Sequence, residues 1–416
     1  MREQNLRRSE TRAMAKLALE ELAGSVDGIA KVHHAVSGRV FTGLRFAGLG
    51  KATKPVQTTH DIISTGIYRA VGVTARTMGE AAGRTVDVPL EVAPSETVRG
   101  AALLGVLQGL RGDALDAEGS MLASPMTVRH NGAAVAIEKT ALAATYPNAT
   151  GRIVIFLHGL METEHAWRIG GRPSYAERLP GDIGATCVQI RYNSGRHISH
   201  NGAELADLLT KLVREWPVDV ESLALVGHSM GGLVVRSACY RASGERQPWV
   251  RKVTHVVSLG SPHTGAPLER IVHYGSAALV RLPETRPFGR LLRRRSAGIR
   301  DLRQGSLVDA DWTDLDIDSL RRVATQEVPL LDGALHFFVT ACIARSPRNP
   351  LGRLIGDGLV MVPSASGRSR SRRIGFRDED GMHLPGANHF TLLNNEAVYD
   401  QLVRWLQTSP AKELTA

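Results

Sequence analysis

Residues Leu223–Gly232 read LALVGHSMGG, a short apolar run that gives way to Gly227-x-Ser229-x-Gly231. The run Leu223–Val226 has the length and apolar content of a buried strand, and from Gly231 to Ala242 the pattern turns helical. A serine between the two sits on a sharp strand-to-helix turn. Small residues two before and two after it let strand and helix pass without collision. Such a turn forces its central residue into strained backbone geometry. It projects the side chain over the C-terminal edge of a sheet, at the positive end of the helix dipole.

Working outward, the same texture continues on both sides. Apolar runs at Arg152–Leu157, Thr186–Ile190, Leu223–Val226, Val253–Leu259 and Leu335–Ile343 alternate with helical patterns at Gly202–Glu215, Gly231–Ala242 and Asn395–Thr408. Strands separated by helices predict an α/β domain with a mainly parallel sheet, spanning about 126–416. A stretch from about 265 to 330 interrupts the rhythm. It is apolar early (Ile271, Val272, Leu279, Val280, Leu282) and Arg-rich later (Arg286, Arg290, Arg293, Arg294, Arg295, Arg300, Arg303), and it reads as an insertion between two strands. Residues 1–125 have helical patterning. Leu6, Met14, Leu17 and Leu22, then Ile62, Ile63, Ile67, Tyr68 and Val71, then Val98, Leu103, Leu104, Val106, Leu107 and Leu110 form stripes. They predict a helical extension that covers an exposed face of the α/β domain, with a membrane-surface or partner-binding role as the alternative.

The 416 residues carry 51 Lys and Arg against 41 Asp and Glu, a net charge of +10. Nearly all the excess is Arg, since only 8 residues are Lys. With aromatics at 5%, stacking platforms for single-stranded nucleic acid are scarce, and no nucleic-acid partner is expected. Cys187, Cys239 and Cys342 are odd in number and far apart, so neither a disulfide framework nor a structural zinc site is expected. The first twenty residues interleave charge with apolar positions, so no signal peptide is drawn, and no apolar stretch in the first third approaches the ~20 residues of a spanning helix. The expectation is a cytoplasmic protein, with membrane association as the alternative.

A serine hydroxyl is a weak nucleophile and needs a base held by an acid. Asn388-His389-Phe390 precedes an amphipathic C-terminal helix (Val398, Leu402, Trp405, Leu406), so His389 lies in a loop after the last strand, within reach of the sheet's C-terminal edge. His383, flanked by Met382 and Leu384, reads instead as a packed loop residue. The acid should fall between the serine and the histidine in chain order. Asp357, in Gly356-Asp357-Gly358, sits in a Gly-flanked turn, whereas Asp378 and Asp380 belong to the charged run FRDED. An oxyanion needs two backbone N–H donors. One is Met230, directly after Ser229; the other comes from Leu157-His158-Gly159-Leu160-Met161, with Leu160 the better candidate and Met161 the fallback. His158 reads as a brace for that loop.

Five pieces in chain order resemble the α/β-hydrolase superfamily and its lipase-like serine esterases: HGL at 158–160, GHSMGG at 227–232, GSPHTGAP at 260–267, DGLV at 357–360 and NHF at 388–390. They span roughly the C-terminal two-thirds of the chain. The resemblance implies Ser229 as nucleophile, Asp357 as acid and His389 as base, a cap over the acyl pocket in the insertion, and a pocket shaped by Met161, His228, Pro262 and His263. It implies hydrolysis of a small-molecule or lipid ester with no metal and no cofactor. The Arg-rich insertion differs from the apolar lid of a fat-digesting lipase.

Two other readings share these residues. An acyltransferase, thioesterase or amidase would use the same acyl-enzyme. A non-catalytic protein on the same scaffold would use the Arg cluster at 286–303, with Arg368, Arg370, Arg372, Arg373 and Arg377, to contact an anionic membrane.

Overall fold

The computed structural model describes residues 92–266, 295–313, 325–345, 356–369 and 372–409, together with 7, 9–10 and 12–14. The stripes at Leu17, Leu22 and 62–71, and Arg286, Arg290, Arg293, Arg294 and Arg370, lie outside the described residues.

Among the described residues eight strands form one sheet: β1 (Thr127–His130), β2 (Ala133–Val135), β3 (Arg152–Leu157), β4 (Thr186–Arg191), β5 (Ser222–His228), β6 (Val253–Leu259), β7 (Leu335–Cys342) and β8 (Gly381–Pro385). Their order is β2-β1-β4-β3-β5-β6-β7-β8. The β1–β2 and β1–β4 pairs are antiparallel and all others are parallel. The α-helices among the described residues are α1 (Val98–Ala117), α2 (Lys139–Thr145), α3 (Tyr175–Ile183), α4 (Ile198–Glu215), α5 (Met230–Gly244), α6 (Ala297–Leu302), α7 (Val362–Ala365) and α8 (Glu396–Gln407).

The central strands read as unbroken apolar runs because both faces of the sheet are covered. Successive side chains alternate between two cores. Ile153, Ile155 and Leu157 of β3, with Leu223 and Leu225 of β5, pack with Leu205, Leu209 and Leu212 of α4 and Leu233 and Val234 of α5. On the opposite face Val154 and Phe156, with Ala224 and Val226, pack with Tyr175 and Leu179 of α3 and Val398, Leu402 and Trp405 of α8.

Strands β1, β2 and β8 and helices α3 and α4 are among the elements that depart from the sequence expectation. The β1–β2 hairpin turns on Asn131-Gly132, both with positive φ (50° and 85°). Strand β8 contains His383, whose Nδ1 lies 2.6 Å from Thr340 Oγ1, so that residue is on a strand rather than in a loop. Helix α3 forms in spite of Pro180, with Ser174 and Glu177 as a capping box at its start. Helix α4 begins at Ile198, four residues before the expected Gly202.

By internal contacts the chain divides into two units. One comprises 1–107, 120–122 and 270–295. There the first part of α1 buries Ala101, Leu103, Leu104 and Leu107, and the Ser95 amide donates to Glu10 Oε1 at 3.0 Å. The other comprises 108–119, 123–269 and 296–416 and contains the whole sheet. No helix among the described residues is long and apolar enough to cross a membrane.

Candidate active site

Strand β5 ends at His228, and Ser229, with φ 51° and ψ −120°, turns the chain into α5. A non-glycine residue in such a conformation costs on the order of 1–3 kcal/mol and persists only where its surroundings over-determine it. They do so here through the main chain: Ser229 N donates to Leu259 O at 2.8 Å, and Gly232 N to Ser229 O at 3.2 Å. The flanking glycines are required by close approach. A Cβ on Gly227 would lie 2.3 Å from Gly232 N, and one on Gly231 would lie 2.6 Å from the Leu157 and His158 carbonyl oxygens. Gly231→Ala is therefore expected to destabilise the fold by about 1–3 kcal/mol, because the main-chain oxygens of Leu157, at the end of β3, and of His158 cannot give way as a side chain would. Urea unfolding reads this directly, and an unchanged midpoint would contradict the packing argument.

On the same edge of the sheet, the turn after β7 presents Asp357 and the loop after β8 presents His389. Asp357 Oδ1 accepts from Leu359 N (2.9 Å) and Val360 N (2.7 Å), which leaves Oδ2 to meet His389 Nδ1 at 2.7 Å. His389 N also donates to Asp357 O at 3.1 Å, so backbone and side chain lock the two loops together. Both residues are buried. Burial alone would lower the proton affinity of His389, but the Asp357 and Glu162 carboxylates outweigh it and raise the pKa above the usual histidine value. The link to Ser229 runs through Gly260 and His228. A Cβ on Gly260 would lie 3.3 Å from His389 Cε1 and Nδ1, and Gly260 follows the Leu259 carbonyl that holds the Ser229 amide. The His228 and His389 rings lie 4.7 Å apart.

The competing acids are engaged elsewhere. Asp378 pairs with Arg368, and Asp380 pairs with Arg377 at 2.6 Å. Arg372 Nη1 donates to Thr325 Oγ1 at 2.5 Å and to Gln304 O at 3.3 Å. Much of the second Arg cluster is thus tied up within the protein.

The loop after β3 passes beside the serine: a Cβ on Gly159 would lie 3.0 Å from Ser229 Cβ. His158 is fully buried, stacked on Tyr192 with centroids 4.4 Å apart, and the Tyr192 hydroxyl donates to its carbonyl at 2.8 Å. Burial holds its pKa low. Met161 has φ 61°, and its amide donates to Ser194 Oγ at 3.1 Å. Gly109 of α1 lies against it, since a Cβ there would be 2.3 Å from Met161 Cγ. Leu160 is half-buried, and Met230 is fully buried at the start of α5. Pro262 and His263 follow β6. His263 is fully enclosed, with Nδ1 3.3 Å from Arg236 Nη1 and its ring 4.9 Å from Phe376. Burial and the Arg236 charge push its pKa well down.

Sequence reasoning passed over Glu162. Its Oε2 accepts from Gly159 N at 2.7 Å and from His228 Nδ1 at 2.9 Å. The signal available was a carboxylate three residues beyond the glycine of HGLME, spaced to cap its own loop.

Residues 189–317 match a family described as "PGAP1-like alpha/beta domain", a segment that includes β5, Ser229 and β6 but less than half of the chain. Among solved structures, the chain is similar to the mature lipase BlEst2 of Bacillus licheniformis, at 18% identity and TM-score 0.39, covering 61% of this chain and 91% of that one. It is similar to phospholipase PlaB of Legionella pneumophila at 18% identity and TM-score 0.38, covering 62% of this chain and 60% of that one. A third is naproxen esterase from Bacillus subtilis, at 13% identity and TM-score 0.34, covering 61% and 83%. No curated protein matches the sequence. The strand order and the strained serine turn give the chain an α/β-hydrolase-type fold, and residues 189–317 are similar to the PGAP1-like alpha/beta domain.

Proposed function

We propose that this protein is a serine hydrolase that cleaves carboxylic esters through an acyl-enzyme on Ser229. The observation that carries the reading is the 2.7 Å Asp357–His389 contact, on the same sheet edge as a serine held at φ 51°. His389 accepts the Ser229 proton on Nε2 as Ser229 Oγ attacks the acyl carbonyl. Asp357 holds Nδ1–H, fixes that tautomer and stabilises the imidazolium. The Met230 amide, at the N-terminus of α5, and the Leu160 amide receive the oxyanion. Met161 is the weaker donor because its amide is spent on Ser194 Oγ. His389 then protonates the leaving alcohol, and water releases the acyl group. Met161, His228, Pro262 and His263 are the residues assigned to the neighbourhood of the acyl group.

The test combines a fluorophosphonate probe with hydrolysis of p-nitrophenyl butyrate. Labelling mapped by mass to Ser229 supports the reading; labelling and turnover that persist in Ser229→Ala overturn it. A thioester and an alcohol acceptor, run in parallel, separate hydrolysis from acyl transfer by product.

The raised proton affinity of His389 gives a pH dependence. The base must be neutral to accept a proton, so kcat/KM is full above the histidine pKa and falls as pH drops through it. Because the pKa is raised, the ascending limb is expected above about 6.5. A limb centred below that value would contradict the electrostatic account.

A further inference from the structure

The mechanism uses one carboxylate–imidazole pair, Asp357 with His389, yet a second pair lies beside it. Glu162 Oε2 and His228 Nδ1 are 2.9 Å apart, and their side chains are 9% and 0% exposed. Burying a carboxylate this deeply is costly unless it is paired and hydrogen-bonded. Here the side-chain hydrogen bonds lead back to the site. The same Oε2 accepts the Gly159 amide at 2.7 Å, and a Cβ built on Gly159 would lie 3.0 Å from Ser229 Cβ. On the far side of the ring, His228 Nε2 lies 3.3 Å from the His389 carbonyl oxygen. His228 is itself the last residue of β5, directly before Ser229. Three loops from distant parts of the sequence thus meet through two side chains.

We infer that Glu162, acting with His228, is a positioning residue for the hydrolysis proposed above: the pair holds the Gly159 loop and the His389 loop in one register around Ser229. The inference rests on that reading. Glu162 also contributes charge. Although burial works against its ionised form, His228, the Gly159 amide and His389 hold its pKa below the usual carboxylate range, so it is an anion at neutral pH. The titratable groups that face His389 are Asp357 from the turn after β7, Glu162 from the loop after β3 and the ring of His228 from the end of β5. Around Glu162 the titratable neighbours are His228, His389, His158 and Tyr192.

Two effects therefore separate in experiment. Glu162→Gln removes the negative charge and weakens the clamp. Its kcat/KM for p-nitrophenyl butyrate should fall by up to about a hundredfold, chiefly in kcat. Its ascending pH limb should move to lower pH, because one of the charges raising the His389 pKa is gone. Glu162→Asp restores the charge, so its limb should return to the wild-type position whatever its rate. His228→Gln cuts the link from the other side but keeps the carboxylate, so its rate should fall without a downward shift of the limb. Phosphonate labelling rates across pH give a second readout that needs little folded protein. If Glu162→Gln keeps the wild-type rate, or loses rate with the limb unmoved, the inference fails while the hydrolase reading stands. If wild-type Ser229 itself neither labels nor turns over ester, the hydrolase reading fails and takes this inference with it.

Discussion

Ser229→Ala is expected to eliminate phosphonate labelling and to lower kcat for ester hydrolysis by about 10⁶-fold, with little change in thermal stability. The separation of the two effects is the informative part. The structural contribution of Ser229 is made by its main chain, through the bonds to Leu259 O and from Gly232 N, and alanine keeps both. Alanine also bears the same backbone strain at φ 51°, so no conformational relief compensates for the lost hydroxyl. Chemistry, by contrast, loses its attacking atom. What remains is the background from bound substrate and oxyanion donors, which in such sites still exceeds water by about 10³–10⁴-fold. Far-UV circular dichroism and a melting curve beside the kinetic assay check both halves. A variant that melts many degrees lower would mean that the hydroxyl supports the turn. A variant that still hydrolyses would move the nucleophile elsewhere.

The turn at Ser229 was legible because three signals coincide within ten residues: a buried-strand run, small residues at fixed offsets, and a switch to helical spacing. The same physics made β3 to β7 readable, since strands covered on both faces have no polar alternation to confuse them with loops. Strands β1, β2 and β8 lacked that signal. β2 and β8 are the sheet edges and β1 lies next to one of them; all three are only three to five residues long, and in β2 and β8 every residue is at least partly exposed. Pro180 concealed α3, because a proline within a short pattern ordinarily marks an end rather than a middle. Glu162 was invisible for a different reason. Its partner His228 is 66 residues away, and a single glutamate in a loop has no periodicity from which a contact could be inferred. Asp357 was easier to single out than Glu162, since the proposed roles restrict a candidate acid to the interval between Ser229 and His389. Its preference over Asp378 and Asp380 has a physical counterpart in the structure: those two are paired with arginines near the surface, while Asp357 has its own loop amides and the imidazole.

Asp357→Asn should lower kcat by about 10⁴-fold while leaving the fold intact, and the two Asp357 oxygens explain why. Oδ1 accepts from the Leu359 and Val360 amides at 2.9 and 2.7 Å. The amide oxygen of asparagine satisfies those donors, which sends its NH₂ toward His389 Nδ1. An NH₂ can only donate, so Nδ1 must become the acceptor and the ring proton moves to Nε2. A histidine protonated on Nε2 cannot take the Ser229 proton. The rate is therefore lost through the tautomer, with the ring still in place. Charge is lost as well: Asp357 works against the effect of burial to raise the His389 pKa, so its neutralisation lowers that pKa. The ascending limb of kcat/KM should then shift to lower pH as its plateau collapses. Asp357→Ala provides the contrast. It strands two loop amides without acceptors, and each costs about 1–3 kcal/mol where it is buried, so this variant should unfold at markedly lower urea concentration. An Asp357→Asn enzyme within about tenfold of wild type would show that the Asp357–His389 contact does not set the tautomer, and Asp378 and Asp380 would be the next acids to replace.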